Sequence, residues 1–106
     1  MASSNPSVLV VIGYVRAKPG KETALKAALF SLVAPTRADE GNIAYVLHQS
    51  LDKPGEFVFI EHWASEDALN KHKAGAAYQN FFVQVQHDDL LDGTPHETHW
   101  HEVIAL

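Results

Sequence analysis

The chain contains no cysteine. That excludes disulfides, thiol nucleophiles and zinc–thiolate sites, and it fits a reducing compartment. Basic residues are also scarce: 8 Lys and Arg stand against 13 Asp and Glu, a formal net charge of −5 with the histidines neutral. No cluster of them makes a stripe that could track phosphates, so no nucleic-acid partner is expected. No apolar run approaches the ~20 residues that span a bilayer, so no membrane partner is expected either. The opening Met1-Ala2-Ser3-Ser4-Asn5-Pro6 lacks the basic segment and apolar core of a secretory signal. The expectation is a soluble, cytoplasmic protein. Phosphate-cradling glycine loops, the Gly-x-Ser-x-Gly elbow and the dinucleotide fingerprint are missing too.

What is present suffices for one domain. The 106 residues are 46% hydrophobic, which supports a real core. Residues 1–6, polar and proline-containing, read as a disordered N-terminal segment, and residues 7–106 as the single domain. Seven histidines in so short a chain require explanation.

Hydrophobic patterning gives the elements. Val8 to Val15 is a β-branched run with almost no polar alternation, the pattern of a strand covered on both faces. From Glu22 the period changes: Leu25, Ala28, Leu29, Leu32 and Val33 mark the buried stripe of a helix, which Pro35 should kink or break. Gly41 is a plausible left-handed cap in the turn Asp39-Glu40-Gly41-Asn42. Residues 43–50 and 56–63 flank Asp52-Lys53-Pro54-Gly55 and read as an antiparallel hairpin. Pairing about Pro54 sets Tyr45 opposite Trp63 and Leu47 opposite Glu61, with His48 and His62 on the other face. Ser65 is the expected N-cap of a second helical region that breaks near Ala74-Gly75-Ala76 and resumes to about Gln86. A fourth strand runs from Thr98 to Leu106.

The order is β-α-β-β-α-β, the ferredoxin-like split arrangement of the α+β class, with an antiparallel sheet. Helices should cover one sheet face. The other is also apolar, and a second copy of the chain is the natural cover, which predicts a homodimer.

The chemistry should sit where the strand ending Glu61-His62-Trp63 meets the helix bearing His72. A carboxylate in so apolar a strand must find a partner or protonate. A salt bridge, with Arg37 or with the dimer mate, is the plain alternative for Glu61. For His72, flanked by Lys71 and Lys73, the plain alternative is a solvent-facing position.

Several pieces occur in a fixed order: Ala34-Pro35-Thr36-Arg37-Ala38-Asp39-Glu40-Gly41-Asn42, then Tyr45-x-Leu47-His48, Pro54-Gly55-x-Phe57, Glu61-x-Trp63, Ala68-Leu69-x-x-His72 and Tyr78-x-x-Phe81. Together they resemble the antibiotic biosynthesis monooxygenase superfamily, including its small quinol monooxygenases, over roughly residues 8–104. The resemblance implies a dimeric α+β barrel with a pocket between sheet and helices. It further implies O2-dependent oxygenation of quinols, anthrones or polyketide-like aromatics without flavin, haem or metal. On that model His72 is the proton acceptor or hydrogen-bonding group, Glu61 orients the site, and Trp63, Phe59, Tyr78 and Phe81 form the substrate-binding wall. Ala77 stands where members often carry a second histidine, and the first strand lacks the asparagine of haem-degrading relatives.

Other relatives isomerise a phosphorylated metabolite, which here would require Arg37 as the cation. A non-catalytic, ligand-binding or stress-associated dimer is the third possibility. His96, Glu97, His99 and His101 invite a metal-site reading, since i, i+2 spacing on a strand can place two imidazoles on one ion. Strand-end histidines are commonly exposed or interfacial, and no metal is expected.

Overall fold

The computed structural model describes residues 5–102. Its elements run β1 (Asn5–Arg16), α1 (Glu22–Phe30), α2 (Val33–Arg37), β2 (Asn42–Gln49), β3 (Glu56–Trp63), α3 (Glu66–Ala74), α4 (Ala76–His87) and β4 (His96–Glu102). The strands form one sheet in the order β2-β3-β1-β4, every neighbouring pair antiparallel. This is the expected ferredoxin-like α+β fold. Strand β1 begins at Asn5, ahead of the apolar run. The expectations for residues 1–4 and for the fourth strand beyond Glu102 lie outside the described residues.

Each helical crossover is made of two segments. In the first, Pro35 lies in the opening turn of α2, where its missing N–H forfeits no helical bond. Its ring would clash with the carbonyl of Ser31, four residues back, and the break falls at Ser31–Leu32. In the second, the Ser65 hydroxyl accepts a 3.1 Å hydrogen bond from the amide of Ala68 and starts α3. Gly75 then separates α3 from α4 with extended backbone.

The hairpin register differs from the expected one by two residues: Tyr45 pairs with Glu61 and Leu47 with Phe59. A two-residue slip leaves every side chain on its face, because strand side chains alternate with period two. The reason lies in the turn, which closes through Ser50 N–H to the Glu56 carbonyl at 2.9 Å rather than symmetrically about Pro54.

Phe57, Phe59, Glu61 and Trp63 all point from β3 toward the helices, and each is buried. The core beneath the helices is in two parts. The larger joins Leu25, Leu29, Tyr45, Phe57, Phe59, Phe81 and Val85, and the smaller joins Val11, Trp63, Ala68 and Leu69. On the opposite face the paired row Val46, Ile60 and Ile12 lies uncovered in the single chain, with Val46, Ile60 and Trp100 exposed. Among the described residues no helix is long and apolar enough to cross a membrane.

Candidate active site

A cavity of about 190 Å³ opens between the sheet and the helices, lined by members of both core clusters. Its floor comes from two neighbouring rows of the sheet: Phe59, Gly13 and Glu97 from one, Tyr45 and Glu61 from the next. Gly13 makes the floor possible. A Cβ there would lie 3.6 Å from Glu61 Oε2 and 3.9 Å from Phe59 Cβ, and any longer side chain would fill the space. Leu29, Leu32 and Leu69 supply aliphatic wall, while Tyr78, Phe81 and Phe82 supply aromatic wall from α4.

Glu61 lies in this wall with 8% of its surface exposed. Trp63, two residues along the same strand face, donates its indole N–H to Glu61 Oε1 at 2.9 Å. Burial disfavours the charged form and pushes the Glu61 carboxyl up to about 7, although the indole bond partly opposes the rise. Arg37 is not its partner. The guanidinium Nε donates instead to the Tyr45 carbonyl at 3.1 Å, because Arg37 ends α2 beside β2. Arg37 also takes no part in the cavity wall; the cation that lines it is Lys73, which is paired with Glu97.

His72 is buried rather than solvent-facing, because it falls on the inner stripe of α3 with Ala68 and Leu69. Lys71 lies on the exposed side of the helix and pairs with Asp67. The imidazole packs 4.8 Å from the Trp63 ring and edge-on to Tyr78 at 5.2 Å. Its Nδ1 meets Asp39 Oδ2 at 2.9 Å. Nε2 makes no hydrogen bond among the described residues, and His72 forms part of the cavity wall.

The placement of Trp63 corrects one expectation. It is fully buried and lies outside the cavity lining. The end of β3 passes under α3, so the indole is covered by Leu9, Ala68 and Leu69 and supports Glu61 and His72 from behind. Phe59, Tyr78, Phe81, Glu61 and His72 do line the cavity.

Two features of the site are not given by the sequence: the Asp39 contact behind the cavity wall and the Lys73–Glu97 pair within it. Asp39 looks like an ordinary turn residue, and 33 positions separate it from His72. Lys73 and Glu97 meet at 2.8 Å, and Glu97 also receives His99 Nε2. Burial works against the Glu97 charge, but the bonds from Lys73 and His99 outweigh it and hold the carboxyl below its ordinary range. Burial, then the carboxylate of Glu61, pushes the Tyr45 phenol above the usual range, and burial together with Glu97 does the same at Tyr78. Of the β4 histidines, His99 pairs with Glu97 and His96 stacks on Tyr14, and among the described residues no group of three or more His, Asp or Glu side chains is arranged to hold a metal ion.

The site's surroundings match known proteins closely. The sequence model of the antibiotic biosynthesis monooxygenase family matches residues 8–84. Two relatives carry the name putative monooxygenase. Rv0793 of Mycobacterium tuberculosis is 37% identical over 79 residues, covering 74% of this chain and 77% of the relative. YcnE of Bacillus subtilis is 34% identical over 77 residues, covering 73% and 81%. Among solved structures, protein SO0527 from Shewanella oneidensis superposes with a TM-score of 0.87 at 35% identity, covering 99% of this chain and all of that one. The match spans the strands and helices that build the cavity, at identities well above those that indicate a shared fold alone. The chain belongs to the antibiotic biosynthesis monooxygenase family.

Proposed function

We propose that the protein is a cofactor-independent monooxygenase of quinol-, anthrone- or polyketide-like aromatics, using O2 and working as a homodimer. One observation carries the reading: His72 and Glu61 both line a cavity otherwise built mainly from aromatic and aliphatic side chains. Such a space accepts a flat apolar ring and offers it a proton acceptor in a water-poor setting.

The chemistry follows from those groups. His72 takes a proton from the bound substrate, the general-base role that imidazole fills most often. The resulting electron-rich anion passes one electron to O2, and the two radicals combine to form a carbon–oxygen bond. For an anthrone, the proton returns from His72 to the terminal peroxide oxygen. The remaining C–H proton departs, its electron pair forms the carbonyl, and the O–O bond breaks. One oxygen atom stays on carbon and the other leaves as water with both substrate hydrogens. Glu61 faces the same space with Oε2 and, when protonated, can donate a hydrogen bond to a substrate oxygen.

The homodimer is supported by the uncovered row Ile12, Val46 and Ile60, since a sheet face of that composition needs a cover. The test of activity is oxygen uptake by metal-stripped protein given a panel of quinols and anthrones, with autoxidation subtracted. Saturable uptake that falls at least tenfold in His72→Ala is expected. Uptake no faster than autoxidation across the panel would overturn the reading.

A further inference from the structure

From the contact between the α2–β2 turn and α3 we infer that Asp39 is a positioning residue for His72, fixing which imidazole nitrogen carries the hydrogen. A carboxylate only accepts hydrogen bonds. At 2.9 Å from Asp39 Oδ2, Nδ1 must therefore hold the hydrogen of a neutral ring. Nε2 is left with its lone pair and without a hydrogen-bond partner among the described residues. The proton acceptor that the cavity needs is thus specified by a residue that does not line it.

The surroundings of the ring favour this division of labour. Trp63, Tyr45 and Tyr78 pack around the imidazole and fix its plane, but ring contacts do not distinguish one tautomer from the other. Among the described residues only Asp39 makes that distinction. Its side chain is 41% exposed while that of His72 is 4% exposed, so the carboxylate keeps part of its hydration as it reaches the buried ring. When His72 accepts a proton, the same carboxylate faces the positive charge that forms.

The inference rests on His72 being the proton acceptor, yet its main test does not depend on activity. Long-range proton–nitrogen NMR of the full chain reads the protonation of each ring nitrogen, and the His72→Gln spectrum identifies the His72 signals by their loss. The wild type should show a single Nδ1–H tautomer for His72. Asp39→Ala should convert it to a mixture or to Nε2–H, with kcat for a quinol down at least tenfold and KM changed less than about threefold. Asp39→Glu, which keeps a carboxylate in reach, should retain Nδ1–H and most of kcat. An Nε2–H tautomer in the wild type, or an unchanged tautomer in Asp39→Ala, would overturn the inference. So would a changed tautomer with kcat within twofold of wild type. Should the wild type show no quinol-dependent uptake, the oxygenase reading fails, and the tautomer spectra alone decide whether Asp39 positions the ring.

Discussion

Replacing Glu61 by glutamine should make the protein more stable, and increasingly so as the pH rises. The carboxyl is lifted from its ordinary 4.5 to about 7 chiefly by burial. At ~1.4 kcal/mol per pH unit, that lift corresponds to about 3 kcal/mol of linkage between ionisation and folding. The sign follows from where the proton sits. Below 4.5 the carboxyl is protonated in both folded and unfolded chains, and its burial is fully compatible with folding. Between 4.5 and 7 the unfolded chain releases the proton while the folded one retains it, so stability falls as the pH rises. Above 7 the loss is complete. Glutamine is neutral throughout, and its side-chain oxygen can still accept the Trp63 indole hydrogen. The advantage of Glu61→Gln over wild type should therefore grow by about 2.5 kcal/mol from about pH 5 to about pH 8. Urea unfolding at matched protein concentration, followed by tryptophan fluorescence, would register this as a midpoint gain of roughly 1–2 M. A difference between the two proteins that stays constant within about 0.5 kcal/mol over that range would refute the argument, because Glu61 would then ionise as a hydrated acid does.

Other outcomes are as open to measurement. Gly41 has φ of +84°, and a Cβ there would come within 2.5 Å of Ala68 Cβ, so Gly41→Ala should cost about 2 kcal/mol or more. Gly20 has the same φ with nothing within 4 Å, and Gly20→Ala should cost only about 1 kcal/mol in the same denaturation assay. Ile60→Asp places a charge in the uncovered sheet row; light scattering should return a dimer mass for wild type and 11.7 kDa for the variant. A monomer mass for wild type at micromolar concentration would remove the dimer. Gly13→Leu should fill the cavity and abolish quinol-dependent oxygen uptake with little change in the circular dichroism spectrum, whereas Gly13→Ala, whose methyl meets only ordinary contacts, should retain part of it.

The fold was legible because local patterns and global need agree. The apolar run of β1, the helical stripe of Leu25, Ala28 and Leu29, the cap at Ser65 and the turn before β3 all act over a few residues. Those elements appear where the patterns place them. Strand faces were legible for the same reason, while the hairpin register depended on turn geometry that composition does not specify. The candidate site was legible only in part. Glu61 stands out because a carboxylate in an apolar strand needs a partner, whereas His72 stands out through the family resemblance and its burial is a finding of the structure. That Trp63 lies one layer behind the cavity wall was not legible, because sequence gives the face a side chain occupies but not the depth at which it is covered. Asp39, Gly13 and the Lys73–Glu97 pair were invisible because their importance arises from contacts across the sheet and between crossovers.

The tight approach of Gly41 to Ala68 bears on more than stability. Gly41 lies two residues after Asp39, and Ala68 lies one helical turn before His72. The backbone bond from Ala64 N–H to the Gly41 carbonyl at 2.8 Å secures the same approach. The spacing between a carboxylate and an imidazole far apart in sequence is thus set by two residues that have no reactive group of their own. A single methyl at position 41 would act as a spacer, pushing the turn away from α3 and lengthening the Asp39–His72 bond while both side chains remain intact. In this protein, therefore, the arrangement of the candidate site can be lost at a position that no inspection of its functional groups would single out.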